Sequence, residues 1–291
     1  MTRNGGSSAL SRWVQWRVWV QASFLLLWLD PLALRLHTVC GPVFHCYSCP
    51  LAAVACPIGV LANFSALHVV PFLAIGTLLV IGGLLGSLIC GWVCPFGFLQ
   101  DMVGRIPVRK FELPAWTAYG RYAVLAGLVV LVPFLWGESH ALFFCRVCPA
   151  GALEGAVPNV IRQAVAHQPI TWPSTTKWII LGAFLTAMLF FWRPWCTMLC
   201  PLGAVYSLCN HVSAFYLKVH TDRCTGCKLC HSACNHGLRP NERANDPRCI
   251  RCLECTQCDH ITLANVFWDT KAVPAEEPTM IESNTPDRIR S

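Results

Sequence analysis

Long apolar runs broken by short polar joints dominate the first two thirds of this chain. The clearest run, from about Ala66 to Cys90, contains FLAIGTLLVIGGLLGSLIC; Trp178 to Trp192, starting a turn earlier near Thr175, contains IILGAFLTAMLFF; and Arg121 to Trp136 contains YAVLAGLVVLVPFLW. A membrane helix takes about 20 mostly apolar residues, so each run predicts a span. A fourth stretch, Val14 to about Leu34, is weaker: Gln15, Arg17 and Gln21 occupy its first turns and Asp30-Pro31 interrupts its end. An interfacial amphipathic helix is the alternative there.

Basic residues orient the spans, because Lys and Arg near span ends stay in the cytoplasm. Arg3, Arg12 and Arg17 precede span one, Arg105, Arg109, Lys110 and Arg121 surround the loop between spans two and three, and Arg193, Lys218, Arg223 and Lys228 follow span four. The first outer loop carries only Arg35; the second carries Arg146, Arg162 and Lys177. Both termini are therefore expected in the cytoplasm. Arg121 and Arg193 fall near span ends and read as boundary residues reaching headgroups, and the tryptophans, Trp92, Trp136, Trp178 and Trp195 among them, read as interface anchors.

Composition agrees with a membrane protein. Of 291 residues, 55% are hydrophobic and 13% charged, against about 25% charged in a soluble domain. The formal charge of +7 is scattered between apolar segments rather than gathered on one face, which argues against nucleic acid as a partner. No Walker loop, dinucleotide fingerprint or HExxH is present, so a nucleotide-driven pump or a metalloprotease has no support.

The 19 cysteines change the picture, since many sit in C-x2-C or C-x3-C pairs that read as metal sites. CTGCKLCHSAC, Cys224 to Cys234, holds both C-x-x-C-H, the c-type haem pattern, and C-x2-C-x2-C-x3-C, the spacing of a cubane cluster. Haem is attached on the oxidising side, whereas this stretch is expected inside, and haem would leave Cys224 and Cys234 without work. A second run, CIRCLECTQC, follows from Cys249 to Cys258. Two such runs predict a small α+β, two-[4Fe-4S] ferredoxin-like module, with a closed zinc site as the bland alternative. In a two-cluster ferredoxin the fourth cysteine of each run serves the other cluster. Cys224, Cys227, Cys230 and Cys258 would then hold one, and Cys249, Cys252, Cys255 and Cys234 the other. Asn235 replaces the usual proline after Cys234, and Cys258 comes one residue early, so His231, His236 and His260 are alternative ligands.

The apolar part repeats a Cys-Pro phrase: CGWVCPFGFL at Cys90 and Cys94, CTMLCPLGAV at Cys196 and Cys200, and CRVCPAGAL at Cys145 and Cys148, with looser copies at Cys46, Cys49 and Cys56. On the expected topology Cys90, Cys94, Cys196 and Cys200 form an inner group. Cys46, Cys49, Cys56, Cys145 and Cys148 form an outer one, as a cluster, another soft metal site or disulfides. Proline after the second cysteine starts a helix and turns backbone N–H groups toward the sulfurs. Cys40 and Cys209 read as small buried hydrophobes. His68 and His140 flank the outer span ends, where a quinol or haem role competes with a plain interfacial one.

Twin C-x3-C-P motifs after apolar spans, followed by a ferredoxin module, resemble the NapH/MauN ferredoxin-type membrane proteins, and the C-terminal membrane part of the NosR regulators is similar. The four apolar runs predict an all-α polytopic protein of about four transmembrane helices, and the pairing of the cysteine groups suggests a two-fold internal repeat in which spans one and two resemble spans three and four. The resemblance agrees with a place in the bacterial inner membrane. It implies single-electron transfer between the quinone pool or a cytoplasmic ferredoxin-like donor and a periplasmic redox protein or second membrane subunit, as a carrier or quinol dehydrogenase-like subunit. The competing function is metal handling, in which membrane thiolates bind Cu(I) and the clusters reduce it. The chain divides into a tail (1–13), a membrane domain (14–212), a ferredoxin-like domain (213–265) and a polar tail (266–291) with the composition of a disordered end.

Overall fold

The computed structural model describes residues 9–29 and 56–267, apart from 112, 168, 170, 171, 173, 222, 223, 225 and 259. Cys40, Cys46, Cys49, Asp30 and the tail after residue 267 lie outside the described residues. The apolar part is helical: α1 (Ala9–Leu29), α2 (Pro57–Ala66), α3 (Phe72–Leu85), α4 (Leu88–Trp92), α5 (Pro95–Gly104), α6 (Ala115–Trp136), α7 (Phe144–Val147), α8 (Val157–Val165), α9 (Thr175–Phe190) and α10 (Pro201–Cys209). Polar and cysteine-rich sequence follows, with strands β1 (Phe215–Val219) and β2 (Ile261–Asn265).

Among the described residues, one of the four expected spans is a continuous helix with the length and apolarity to cross a membrane. This is α6, of 22 residues; its middle, Val124–Leu131, is π-helical. The run from Ala66 to Cys90 is divided instead. Pro71 starts α3 and Gly86 ends it with φ +57°, a backbone region open chiefly to glycine. A Cβ at Gly86 would also stand 2.7 Å from Arg251 Nη1 and 2.8 Å from Asn210 Oδ1. The weak first stretch is the helix α1, and its polar first turns are docked: Arg17 and Gln21, 6% and 1% exposed, both donate to the Gly91 carbonyl. Outward-facing apolar side chains remain on the shorter helices, among them Phe72 and Leu73 of α3 and Ile179 of α9.

Helices α2, α3, α5, α6, α9 and α10 share one core containing Phe96, Val129, Phe184, Met188, Trp195 and Tyr206. Trp195 is therefore not an interface anchor; it is buried between Phe96 and Phe184, edge-on to both rings. A second core packs Leu217 and Ile261 against Leu253, Cys255 and Cys258. Here β1 and β2 pair antiparallel from Phe215↔Asn265 to Val219↔Ile261. This ribbon clasps both cysteine runs, because its strands are the segments that flank them. The polar insert between the runs fastens it: Asn245 exchanges hydrogen bonds with the backbone of Leu217, and Arg248 pairs with Asp246.

Candidate metal centres

Three of the four Cys-Pro-x-Gly phrases among the described residues build the same local structure. Cys94, Cys148 and Cys200 are each extended, as the residue before proline prefers. Proline then opens the next helix, where it needs no N–H. The amide of the glycine three residues on donates to the cysteine sulfur, at 3.4 Å for Gly97 to Cys94, 3.4 Å for Gly151 to Cys148 and 3.3 Å for Gly203 to Cys200. Glycine is needed at two of these positions for a second reason. A Cβ at Gly97 would lie 3.1 Å from the Cys90 carbonyl, and one at Gly203 would lie 3.1 Å from the Cys196 carbonyl.

These caps bring Cys90, Cys94, Cys196 and Cys200, all buried, around one cavity. N–H donors face it. Gln100 Nε2 donates to Cys196 Sγ at 3.1 Å, while its Oε1 accepts from the Trp195 amide. Arg193, 1% exposed, donates to the Cys90 carbonyl at 3.0 Å and forms a two-point pair with Asp101. Arg121, also buried, lines the cavity, and its Nε has no acceptor among the described residues. Both arginines thus leave the headgroup role expected of boundary residues: each is enclosed by protein, Arg193 held by Asp101 and the Cys90 carbonyl and Arg121 by the Pro247 carbonyl at the cavity wall. Arg193 has its counter-charge in Asp101, but a buried Arg121 with an orphaned N–H at the cavity wall calls for an anion, and a thiolate-ligated cluster fits that demand.

In the C-terminal module, Cys234, Cys249, Cys252 and Cys255 line a second cavity. Burial first, and neighbouring thiols next, push Cys249 up to about 12. Burial also pushes Cys252 up to about 11, against the nearby charge of Arg17. Such thiols hold their protons until a metal displaces them, so loading is coupled to proton release. Cys230 is buried close enough to Cys258 for their charges to interact, whereas Cys224 and Cys227 are exposed. Among the described residues, no three His, Cys, Asp or Glu side chains converge as a single ion requires. A four-iron cluster asks for a wider set, since each thiolate meets its own iron.

The two cavities share a wall. Cys249 lines both, and its carbonyl accepts from Asn210 Nδ2 at 2.9 Å, which ties it to α10. Arg251, fully buried, threads from the second cysteine run back into the helices, donating to Ser213 Oγ and to the carbonyls of Phe215, Asn210 and Leu85. Its Nε has no acceptor among the described residues, and its own amide donates to Cys249 Sγ at 3.4 Å. Gly91 makes the close approach possible: a Cβ there would stand 2.6 Å from the Ile250 carbonyl oxygen. Beside this seam Arg17 bridges Asp101 and Glu254. Burial alone would raise the Asp101 carboxyl, but Arg193 and Arg17 hold it below the usual carboxylate range.

Sequence reasoning did not single out Gln100, Asp101, Arg251 or Asn210. Only Arg251, inside C-x2-C, carried a positional hint. His236 lines the cavity with Cys234, while His231 is exposed and the His260 carbonyl accepts from the His220 amide. His68 lies tilted against Phe134, and His140 stacks on Trp136. Cys209 is packed against Gly82 of α3.

The family model described as a 4Fe-4S binding domain matches residues 67–114 and 178–218, the two segments that carry Cys90/Cys94 and Cys196/Cys200. An uncharacterized protein of Methanocaldococcus jannaschii is 32% identical over 182 residues, 59% of this chain and 68% of that protein. The chain belongs to the ferredoxin-type iron–sulfur family that includes NapH and MauN. Ferredoxin-type protein NapH of Haemophilus influenzae is 29% identical over 52% of this chain and 48% of its own length. Methylamine utilization ferredoxin-type protein MauN of Methylorubrum extorquens is 28% identical over 64% of this chain and 58% of its own. The chain thus spans about half to two thirds of these relatives. No solved structure matches it. Membership of this family supports an iron–sulfur electron-transfer role.

Proposed function

We propose that the protein passes single electrons along a row of iron–sulfur clusters leading from its ferredoxin module into a helical part embedded in the bacterial inner membrane. Cys224, Cys227, Cys230 and Cys258 hold one [4Fe-4S] cluster, Cys249, Cys252, Cys255 and Cys234 a second, and Cys90, Cys94, Cys196 and Cys200 a third. The observation that carries this reading is the position of Cys249, a residue of the ferredoxin runs that also walls the cavity of the helical quartet. The quinone pool or a soluble ferredoxin-like donor on one side, and a periplasmic redox protein or second membrane subunit on the other, suit such a wire. The outward apolar side chains of α3, α6 and α9 support a lipid surround, since patches of that kind are disfavoured in water.

The clusters, when bound, supply the one-electron carriers. The chain's own groups set their environment. The Gly97 and Gly203 amides and Gln100 Nε2 donate toward sulfur, and Arg121 and Arg193 place positive charge beside the quartet. Both effects favour the more negative, reduced state and so raise the reduction potential. Asn210 and Arg251 fix Cys249 against the helices, and burial of all four quartet thiols keeps water out.

Iron, acid-labile sulfide and copper per chain, measured on anaerobically purified full-length protein, test the reading. Cys90→Ser/Cys196→Ser should lose about four irons and four sulfides while the ferredoxin signals persist in EPR spectra. Equal iron in variant and parent would sink the third cluster. Stoichiometric copper released by the same variant would instead favour metal handling.

A further inference from the structure

Three cysteines outside these centres, Cys56, Cys145 and Cys148, gather where two helices begin. Cys56 precedes Pro57 at the start of α2, and Cys148 precedes Pro149, both in extended conformation and both buried. The amide-to-sulfur bond from Gly151 to Cys148 repeats the geometry of the quartet caps. Cys145 closes the group. A Cβ on Gly59 would stand 3.8 Å from Cys145 Sγ and 3.9 Å from Cys56 Sγ, so sulfurs from two separate segments flank one glycine.

This group is joined to the quartet by aromatic rings. Phe144, the neighbour of Cys145, stacks on Trp195, the neighbour of Cys196, with centroids 6.5 Å apart and planes at 29°. Trp195 also lines the quartet cavity. The path Cys145–Phe144–Trp195–Cys196 therefore contains a single non-covalent step, and that step is a ring contact in the buried core.

We propose that Cys56, Cys145 and Cys148 ligate a further iron–sulfur cluster, wired to the quartet through Phe144 and Trp195. The proposal rests on the quartet holding a cluster. Three soft thiolates match iron–sulfur chemistry, and two helix starts turn backbone N–H groups toward an anionic group. One electron leaving the quartet cluster, which is oxidised, reduces this one; no atom is transferred.

The test compares full-length protein, purified anaerobically, with Cys145→Ser/Cys148→Ser and with Cys90→Ser/Cys196→Ser. Iron, sulfide and EPR spectra are measured on all three, and thiol alkylation is mapped by mass spectrometry before and after iron chelation. The first variant should lose about four irons and four sulfides and keep the quartet and ferredoxin signals. In the parent, Cys145 and Cys148 should resist alkylation until iron is removed. Unchanged iron in this variant, or a Cys145–Cys148 disulfide in the iron-loaded parent, overturns the proposal. If only the quartet variant loses iron, this inference falls and the functional reading stands; if neither does, both fall. Should the double variant fail to accumulate, the alkylation pattern of the parent decides alone.

Discussion

Gly91→Ala probes the seam between helices and ferredoxin module with a single methyl. The added Cβ would sit 2.6 Å from the Ile250 carbonyl oxygen and 3.1 Å from that of Arg251, against 3.4 Å or more in an ordinary contact. Both obstacles are backbone, so no side chain can swing aside, and the 249–252 segment must retreat by about 0.8 Å. Overpacking of this kind costs about 1–3 kcal/mol, or roughly a 5- to 140-fold loosening of the docked state at 1.4 kcal/mol per tenfold. The retreat would also lengthen the Asn210 bond to the Cys249 carbonyl. Amide hydrogen exchange over residues 244–253 should accelerate by that factor. Gly83→Ala is the control, because a Cβ there meets nothing within 4 Å; it should leave exchange unchanged and stabilise α3 by up to about 1 kcal/mol. If the two variants behave alike, the close approach at Gly91 is not what seats the module.

Arg251→Met should cost about 3 kcal/mol or more, because several buried acceptors lose a charged donor; denaturant unfolding measures this, and a redox titration should show a lower potential at the cluster proposed for Cys249. Gly97→Ala and Gly203→Ala each press a methyl to 3.1 Å from an equivalent carbonyl, so both should cost about 1–3 kcal/mol and lose similar amounts of iron; clearly unequal losses would argue against equivalent roles for the two caps. His236 is held down to about 3 from 6.5 by burial first and by the charges of Arg193 and Arg17, which outweigh Asp101. Below about pH 6.5 the unfolded chain takes up a proton that the folded chain refuses, so stability is full above that pH and falls as pH drops toward 3. His236→Gln should flatten stability between pH 7 and pH 4 in denaturant titrations; an unchanged slope would assign the acid sensitivity elsewhere.

The Cys-Pro-x-Gly caps were legible because everything they need lies within four residues: an extended residue, a proline without an N–H, and a glycine amide returning to sulfur. The apolar runs were equally legible as helices, yet length alone overstated the continuity of the run from Ala66 to Cys90. Pro71 is a local signal for a break, but Gly86 ends α3 where Arg251 arrives from 165 residues further along the chain.

By itself, then, the sequence determined the helical runs, the two four-cysteine spacings and the caps, since each is governed by neighbours a few bonds away. Tertiary structure decided which thiols meet and what surrounds them. Cys90 and Cys196 share a cavity only because separate helices fold together. Arg121 and Arg193 read as headgroup contacts because a charge near the end of an apolar run normally seeks water. They are buried instead because distant partners, Asp101 and the Cys90 carbonyl for Arg193 and the Pro247 carbonyl for Arg121, replace that water. Burial is a property of the whole packed chain, and no local spacing encodes it.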